Sequence, residues 1–165
     1  MSTVNARGAA MYVVAVDARE VIDRLGLARH PEGGWYRETW RGADTPAGRP
    51  AGTAIWFLLE AGGASRWHRV DALEIWTWHG GSPLELSIAP PGEDPERTIL
   101  GMDLARGERP QAVVPAGAWQ SARALGGWSL AGCIVIPGFT FEGFEQAPEG
   151  WRPRRASPDA PPGPP

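Results

Sequence analysis

One segment of the sequence, near the N-terminus, has its hydrophobic residues spaced as in a helix. The apolar residues of that segment are Val21, Ile22, Leu25 and Leu27, and together they form one apolar stripe. Asp17 and Glu20 are spaced as a capping-box-like pair at its start, and Gly26 marks its end. The pattern predicts a single short helix over residues 17–27.

After a turn at residues 30–34, rich in proline and glycine, the chain breaks into short strand-like segments. These segments are residues 35–41, 53–60, 65–70, 74–79, 83–88, 97–102, 111–114, 127–136 and 139–144. Short strands separated by Gly and Pro turns are typical of sandwiches and jelly rolls. The pattern predicts an all-β domain over residues 17–147, preceded by an extension at 1–16 and followed by a proline-rich, disordered tail at 148–165.

Composition narrows the class of protein. The 165 residues fit one domain, and the single cysteine, Cys133, lies in an apolar run where we expect it to be buried, without a disulfide framework. The apolar patch at residues 12–16 is too short for a secretory signal or a membrane span, so we expect a cytoplasmic protein. A net charge of −3 argues against a nucleic-acid partner. The chain has no lysine, which excludes Schiff-base, pyridoxal-phosphate and P-loop chemistry.

One stretch, residues 62–81, carries most of the candidate chemistry. Because side chains alternate along a strand, Arg66, His68 and Val70 share one face of the first predicted strand. Three residues of the next strand share the corresponding face: Glu74, Trp76 and Trp78. The predicted cavity therefore contains an imidazole, a carboxylate, an arginine and two indoles. Apolar walls with a few convergent polar groups are typical of a small-molecule site.

The spacing of glycine, His68, Glu74 and a closing glycine in this stretch resembles the first motif of the cupins, and residues 115–120 resemble the second. Further blocks resemble one small cupin family of predicted sugar epimerases without a known substrate: residues 25–41, 53–60, 65–86, 114–122 and 136–145. The resemblance covers about residues 20–147. It implies a double-stranded β-helix, the jelly-roll cupin barrel, with a short N-terminal helix.

The same resemblance implies a metal cage of three histidines and a glutamate, but Val70 and Gln120 stand where two of those histidines belong. A metal could draw only on His68, Glu74 and Gln120, and an amide oxygen is a poor partner for the ions that imidazole favours. His79 could add a ligand only if a bulge turned it towards Glu74. We therefore expect no metal and no other cofactor.

Without a metal, His68 is predicted to act as a general base whose tautomer Glu74 fixes, as an epimerase or isomerase of carbohydrate-like substrates requires. Tyr36 is the candidate acid on the far face of the substrate. Gln120 and the two indoles, Trp76 and Trp78, are candidate ligand contacts, although the indoles can equally fill a narrow barrel. Two alternatives stay open: a non-catalytic binding or sensing barrel, and a metal-dependent enzyme with a reduced ligand set.

The arginine-rich, aromatic strand at residues 35–41 has two interpretations. Arg37 could recognise a phosphate or carboxylate of a substrate, or it could form an ion pair between sheets or subunits. Arg66 is a second candidate for ligand binding, and His30 is interpreted as a turn residue. An exposed edge strand, together with the family resemblance, predicts a homodimer.

Overall fold

The structure is a computed structural model that describes residues 16–153. The predicted N-terminal extension up to residue 15 and the predicted tail from residue 154 lie outside the described residues. No helix in the described range is long and apolar enough to span a membrane.

The predicted N-terminal helix is present as α1, Ala18–Leu25. The Asp17 side chain accepts a hydrogen bond from the Glu20 backbone N–H at 2.8 Å. Gly26 ends the helix in the left-handed conformation with φ of 62°, which glycine adopts without steric cost. Val21 and Ile22 pack with Leu58, so the apolar stripe fixes α1 against the sheet that contains Leu58.

Within residues 16–153, eleven strands form two antiparallel sheets. They are β1 Ala28–Arg29, β2 Trp35–Arg41, β3 Thr53–Leu59, β4 His68–Val70, β5 Leu73–Gly81, β6 Leu84–Ala89, β7 Glu96–Leu100, β8 Gln111–Val114, β9 Trp119–Ala124, β10 Ser129–Ile136 and β11 Phe144–Gln146. The first sheet has the order β1-β2-β3-β10-β5-β8, and the second has the order β11-β4-β9-β6-β7. The main core includes Phe57, Trp76 and Leu86, drawn from both sheets. The predicted all-β jelly roll is confirmed.

Three local features differ from the expectation. Strand β9 was not predicted, because its buried residues are Gln120, Ala122 and Ala124 and give a weak hydrophobic signal. The segment expected as a strand over residues 139–144 contains a 3-10 turn at Phe141–Gly143 instead. Past the expected domain end at residue 147, Trp151 packs against other aromatic rings, so the packed domain continues beyond that boundary.

Two strands contain an extra residue that changes which side chains face inward. In β2, Glu38 pairs with Ile55 whereas Arg41 pairs with Thr53, because the register shifts between Glu38 and Trp40. Both Glu38 and Arg41 therefore line the interior, and Trp40 is 51% exposed. A bulge of this kind re-aims side chains without ending the strand.

The second register shift lies opposite His79. Trp78 pairs with Ala131 and Gly80 pairs with Leu130, which leaves His79 as the extra residue of β5. His79 stays exposed beside Thr77, whose hydroxyl lies 3.4 Å from its Nε2. The bulge therefore does not bring His79 to Glu74.

The outer edge of β2 gives the predicted homodimer a physical basis. On the side of β2 away from β3, β1 pairs only with Trp35 and Tyr36, and residues 37–41 have no strand partner on that side within residues 16–153. Because an open aromatic edge favours pairing with another strand, we predict a homodimer at micromolar concentration. Light scattering should give twice the mass of one chain.

Trp40→Glu should shift that equilibrium to the monomer, since it places a charge on the open edge. Met102→Glu is the matched control, because Met102 is also exposed, at 59%, but does not lie on this edge. A wild-type mass of one chain at micromolar concentration would contradict the prediction.

Candidate functional site

The turn at residues 30–34 delivers a carboxylate into the barrel. Gly34 has φ of 76°, and a Cβ there would lie 2.7 Å from the Leu58 carbonyl oxygen, so only glycine lets the turn approach β3 this closely. The Glu32 carbonyl accepts a hydrogen bond from the Arg66 backbone N–H at 2.8 Å. These contacts hold Glu32 with only 5% of its surface exposed.

Glu32 faces a cavity of about 290 Å³ between the two sheets. Its ionisable or hydroxyl-bearing lining residues include His30, Glu32, Tyr36, Thr53, His68 and Glu74. Its apolar lining consists of Ile55, Val70, Val135, Phe139, Phe141 and Phe144. Phe141 is 70% exposed, which places it where the cavity meets solvent.

His68 is held as a cation at one wall of this cavity. Its Nδ1 lies 2.9 Å from Glu32 Oε2 and 2.8 Å from the Arg66 carbonyl oxygen. Burial alone would lower the pKa of His68, but the charge and hydrogen bond of Glu32 and the charge of Glu74 outweigh burial and raise it to about 9. Both contacts use Nδ1, so at neutral pH the proton on Nε2 is the one that His68 can offer a ligand.

Glu74 is held by a chain of two hydrogen bonds. The Trp76 indole N–H donates to Gln120 Oε1 at 2.9 Å, and Gln120 Nε2 donates to Glu74 Oε2 at 2.5 Å. An indole nitrogen can only donate, so it fixes which end of the Gln120 amide faces Glu74. Burial raises the pKa of Glu74 despite the His68 charge and the Gln120 hydrogen bond.

Two further polar side chains complete the interior. His30 packs edge-on against Tyr36 with ring centroids 4.5 Å apart, and its Nδ1 accepts from the Glu32 backbone N–H at 3.3 Å. Burial lowers the pKa of His30 despite the nearby Glu32 charge, so this imidazole is neutral at pH 7. Burial and the Glu74 carboxylate raise the pKa of the Cys133 thiol well above its usual value, so the thiol stays protonated.

The structure brings together some predicted site residues and separates others. His68, Glu74 and Tyr36 line one cavity. Gln120 and Trp76 are fully buried and do not line the cavity. They hold Glu74 in place through hydrogen bonds and do not contact a ligand directly.

The other three predicted contacts lie elsewhere. Arg37 donates to the Leu25 carbonyl oxygen at 2.9 Å, at the end of α1. Arg66 is exposed and donates to the Pro31 carbonyl oxygen at 3.1 Å. Trp78 packs on the core and donates to the Ser82 carbonyl oxygen at 3.0 Å. None of these three side chains lines the cavity.

The lining residues that were not predicted from the sequence include Glu32, His30 and Arg41. His30 was interpreted as a turn residue, and it also forms part of the cavity wall. Two adjacent glycines after Glu32 were the available signal, since they mark a turn that can approach another strand closely. For Arg41 the alternation pattern was misleading, because the bulge in β2 reverses the face on which it lies.

The four motif positions converge in space, but their side chains do not fit a metal ion. His68 pairs directly across from Gln120 between β4 and β9, as the resemblance implies. Val70 has no lone pair to donate, and the Gln120 amide is already bonded to Trp76 and Glu74. In the described part of the chain, no group of three or more His, Cys, Asp or Glu side chains could hold a metal.

Comparison with known proteins agrees with this architecture. Residues 19–147 match the family model described as Cupin superfamily (DUF985). The chain belongs to the cupin superfamily. The family resemblance seen in the sequence is thus confirmed, whereas the finer description as a sugar epimerase stays a prediction.

Two solved structures are similar to this cupin over most of their length. The protein SO0799 from Shewanella oneidensis is 41% identical, with a TM-score of 0.76 over 80% of this chain and 85% of that one. A hypothetical protein from Leishmania major is 35% identical, with a TM-score of 0.72 over 79% and 86% of the two chains. No curated protein matches the chain.

A more distant solved structure shares the fold alone. Oxalate decarboxylase from Bacillus subtilis is 18% identical, with a TM-score of 0.57 over 72% of this chain and 29% of that one. The fold is therefore shared with an enzyme, whereas the chemistry of this cupin depends on the residues of its own cavity.

Proposed function

We propose that this cupin is a metal-free isomerase or epimerase that moves a proton next to a carbonyl group of a carbohydrate-like small molecule. One observation carries the proposal. A buried imidazolium, His68, and a buried carboxylate of raised pKa, Glu74, line the same small cavity. Pairs of titratable groups whose surroundings shift their pKa values are typical of acid and base partners in catalysis.

The electrostatics favour a division of roles opposite to the one expected from the sequence. A pKa of about 9 leaves only about 1% of His68 unprotonated at pH 7. His68 therefore serves better as a proton donor than as a base. Glu74 is the better base, because its raised pKa brings its basicity closer to neutral pH.

In the proposed reaction, a Glu74 oxygen takes the proton from the carbon next to the carbonyl. The electron pair of that C–H bond forms the new carbon–carbon double bond, and the carbonyl electrons move to oxygen. His68 Nε2–H donates its proton to that oxygen. The enediol collapses when one of its hydroxyl groups returns a proton to His68 Nε2, so that a carbonyl forms again and the electron pair of the double bond takes up a proton at carbon. Isomerisation results if Glu74 returns its proton, on the same face, to the former carbonyl carbon and the hydroxyl of the neighbouring carbon is the one that loses its proton. Epimerisation results if the Tyr36 hydroxyl protonates the original carbon from the other face, after which solvent takes the proton from Glu74 and returns one to the Tyr36 oxygen.

The size and lining of the cavity support the carbohydrate-like class. A volume of about 290 Å³ lies just below the range of about 300–1,000 Å³ for small-molecule sites, which favours a small substrate. The cavity offers donors and acceptors beside phenylalanine rings, which suit the hydroxyl groups and the apolar face of one sugar ring. A nucleotide attached to that sugar would remain outside. We further propose that the protein works in the cytoplasm.

A binding or sensing barrel without catalysis is the second candidate. It is favoured by the buried contact between Glu32 and His68, which satisfies the imidazolium without any substrate. Exchange of substrate protons with solvent distinguishes the two candidates, since a binding barrel gives none.

Proton NMR in D2O tests the catalytic proposal on a panel of free and phosphorylated aldoses and ketoses. We expect the wild type to introduce deuterium at the carbon next to the carbonyl. Glu74→Gln should lower that rate by about 10²- to 10⁴-fold, because it removes the base and keeps the shape. Glu96→Gln, on the exposed end of β7, is the matched control and should change nothing.

The pH dependence of kcat/KM then assigns the roles. With Glu74 as base and His68 as acid, the rate should rise as Glu74 deprotonates and fall as the pH passes about 9. If His68 were the base, the rate would keep rising up to that pH. Sugar turnover without deuterium incorporation would contradict proton abstraction.

A further inference from the structure

The bulge in β2 places a second cation in the cavity, opposite the proposed acid and base. Arg41 lines the cavity and its side chain is 45% exposed, so a ligand entering from solvent can reach its guanidinium. His68, the other cation of the lining, is buried and held by Glu32.

Glu38 occupies only one edge of the Arg41 guanidinium. Arg41 Nε donates to Glu38 Oε1 at 3.0 Å, and Arg41 Nη2 donates to Glu38 Oε2 at 2.6 Å. A guanidinium has five N–H donors, and this side-on pair uses two of them. The edge formed by Nη1 and the second N–H of Nη2 has the geometry that binds a carboxylate or phosphate through two parallel hydrogen bonds.

The strand register sets the distance between Arg41 and the proposed base. Arg41 pairs with Thr53, Thr53 pairs with Val135, and Val135 pairs with Glu74, so these residues form one row across the sheet. Three strand spacings of about 4.8 Å separate the ends of the row by about 14 Å along the sheet. Because both end side chains project into the cavity, the gap between them is of the order of one small molecule.

We propose that the substrate carries an anionic group, a phosphate or carboxylate, at the end remote from its reacting carbonyl, and that Arg41 binds this group. The anion-binding role rests on the geometry of Arg41, and only the position of the carbonyl end rests on the proposed function. Arg41 is then a specificity-determining residue, which selects sugar phosphates or sugar acids over neutral sugars.

Binding of simple anions tests the proposal without knowledge of the substrate. The probes are inorganic phosphate and acetate, with acetamide as the neutral counterpart of acetate, each titrated at constant ionic strength and followed by protein NMR. Arg41→Gln should weaken binding of the preferred anion about tenfold or more, because it removes a charge-assisted bidentate contact. Acetamide should bind no better to the wild type than to Arg41→Gln.

Two further variants separate recognition from structure. Glu38→Gln should tighten anion binding several-fold, because it removes a negative charge that neutralises Arg41 and repels a second anion. Arg37→Gln is the matched control, because Arg37 lies on the same strand as Arg41 but contacts the end of α1 and not the cavity. It should leave anion binding unchanged. Melting temperatures of all three variants check that the fold is retained.

Equal anion affinity in the wild type and Arg41→Gln, or weaker binding in Glu38→Gln, would overturn the proposal. Preference for phosphate over acetate identifies the substrate as a phosphate ester, and the reverse preference identifies a carboxylic acid. Deuterium exchange is scored separately. Arg41-dependent anion binding without any exchange that depends on Glu74 would refute the proposed function and leave the anion site standing.

Discussion

Raising the pH from 6.5 to 9 should lower the free energy of unfolding of this cupin by about 3 kcal/mol through His68 alone. The pKa of His68 is raised from 6.5 in the unfolded chain to about 9 in the folded one. Its stabilisation is therefore fully present below pH 6.5 and is lost as the pH rises through 9. The pKa of His30 is lowered in the folded state. Its protonation therefore changes the free energy of unfolding mainly below pH 6.5 and does not offset the loss that His68 causes at higher pH.

Glu32→Gln should remove this dependence, because the Glu32 carboxylate is the main group that keeps His68 charged. Loss of one partner of a buried ion pair typically costs about 3–5 kcal/mol. The variant should therefore be much less stable than the wild type at pH 6 and similar to it at pH 9. Urea unfolding at a series of pH values measures the difference, and NMR titration of the His68 ring reports its pKa directly.

The matched control is Glu60→Gln, which removes an exposed carboxylate from Trp35 and Arg29. Its stability curve should run parallel to that of the wild type across the same pH range. Parallel curves for Glu32→Gln and the wild type would instead show that Glu32 does not control the charge of His68.

Most of the fold could be predicted because it depends on local patterns. Alternation of apolar and polar residues, with Gly and Pro turns, located most strands, and the Asp17 and Gly26 caps located α1. The failures have a physical cause in each case. The inward side chains of β9 are small or polar, and the 3-10 turn at Phe141–Gly143 interrupts an aromatic run that reads as a strand.

The site could be predicted only as far as side chains follow the regular strand period. His68 and Glu74 do so, and the structure places both in the cavity. Glu32 comes from a turn, and Arg41 follows a bulge, so neither position can be read from alternation. Glu32 is the main group that keeps His68 charged. Because the sequence did not place Glu32 beside His68, it predicted a neutral imidazole that acts as a base.

Restoring the two missing histidines should convert this cupin into a metal protein. His68 already directs Nδ1–H to the Glu32 carboxylate, an arrangement that orients metal-binding imidazoles. Val70 lies two residues further along β4, and Gln120 lies directly across from His68. The double variant Val70→His/Gln120→His should therefore bind about one equivalent of Zn²⁺ or Ni²⁺, as measured by elemental analysis and calorimetry. The wild type should carry well below one equivalent of zinc, iron, manganese, nickel or copper.

Stability provides the control for this conversion. Without metal, Gln120→His leaves the buried Trp76 indole N–H without its acceptor, which costs about 1–3 kcal/mol, so the double variant should melt below the wild type. Added Zn²⁺ should raise its melting temperature, whereas a chelator should barely move that of the wild type. Each single variant supplies one histidine fewer and should bind metal more weakly. Near-stoichiometric metal in the wild type, lost in His68→Ala, would show instead that the natural site binds metal through other ligands, and would favour oxidative or hydrolytic chemistry over isomerisation.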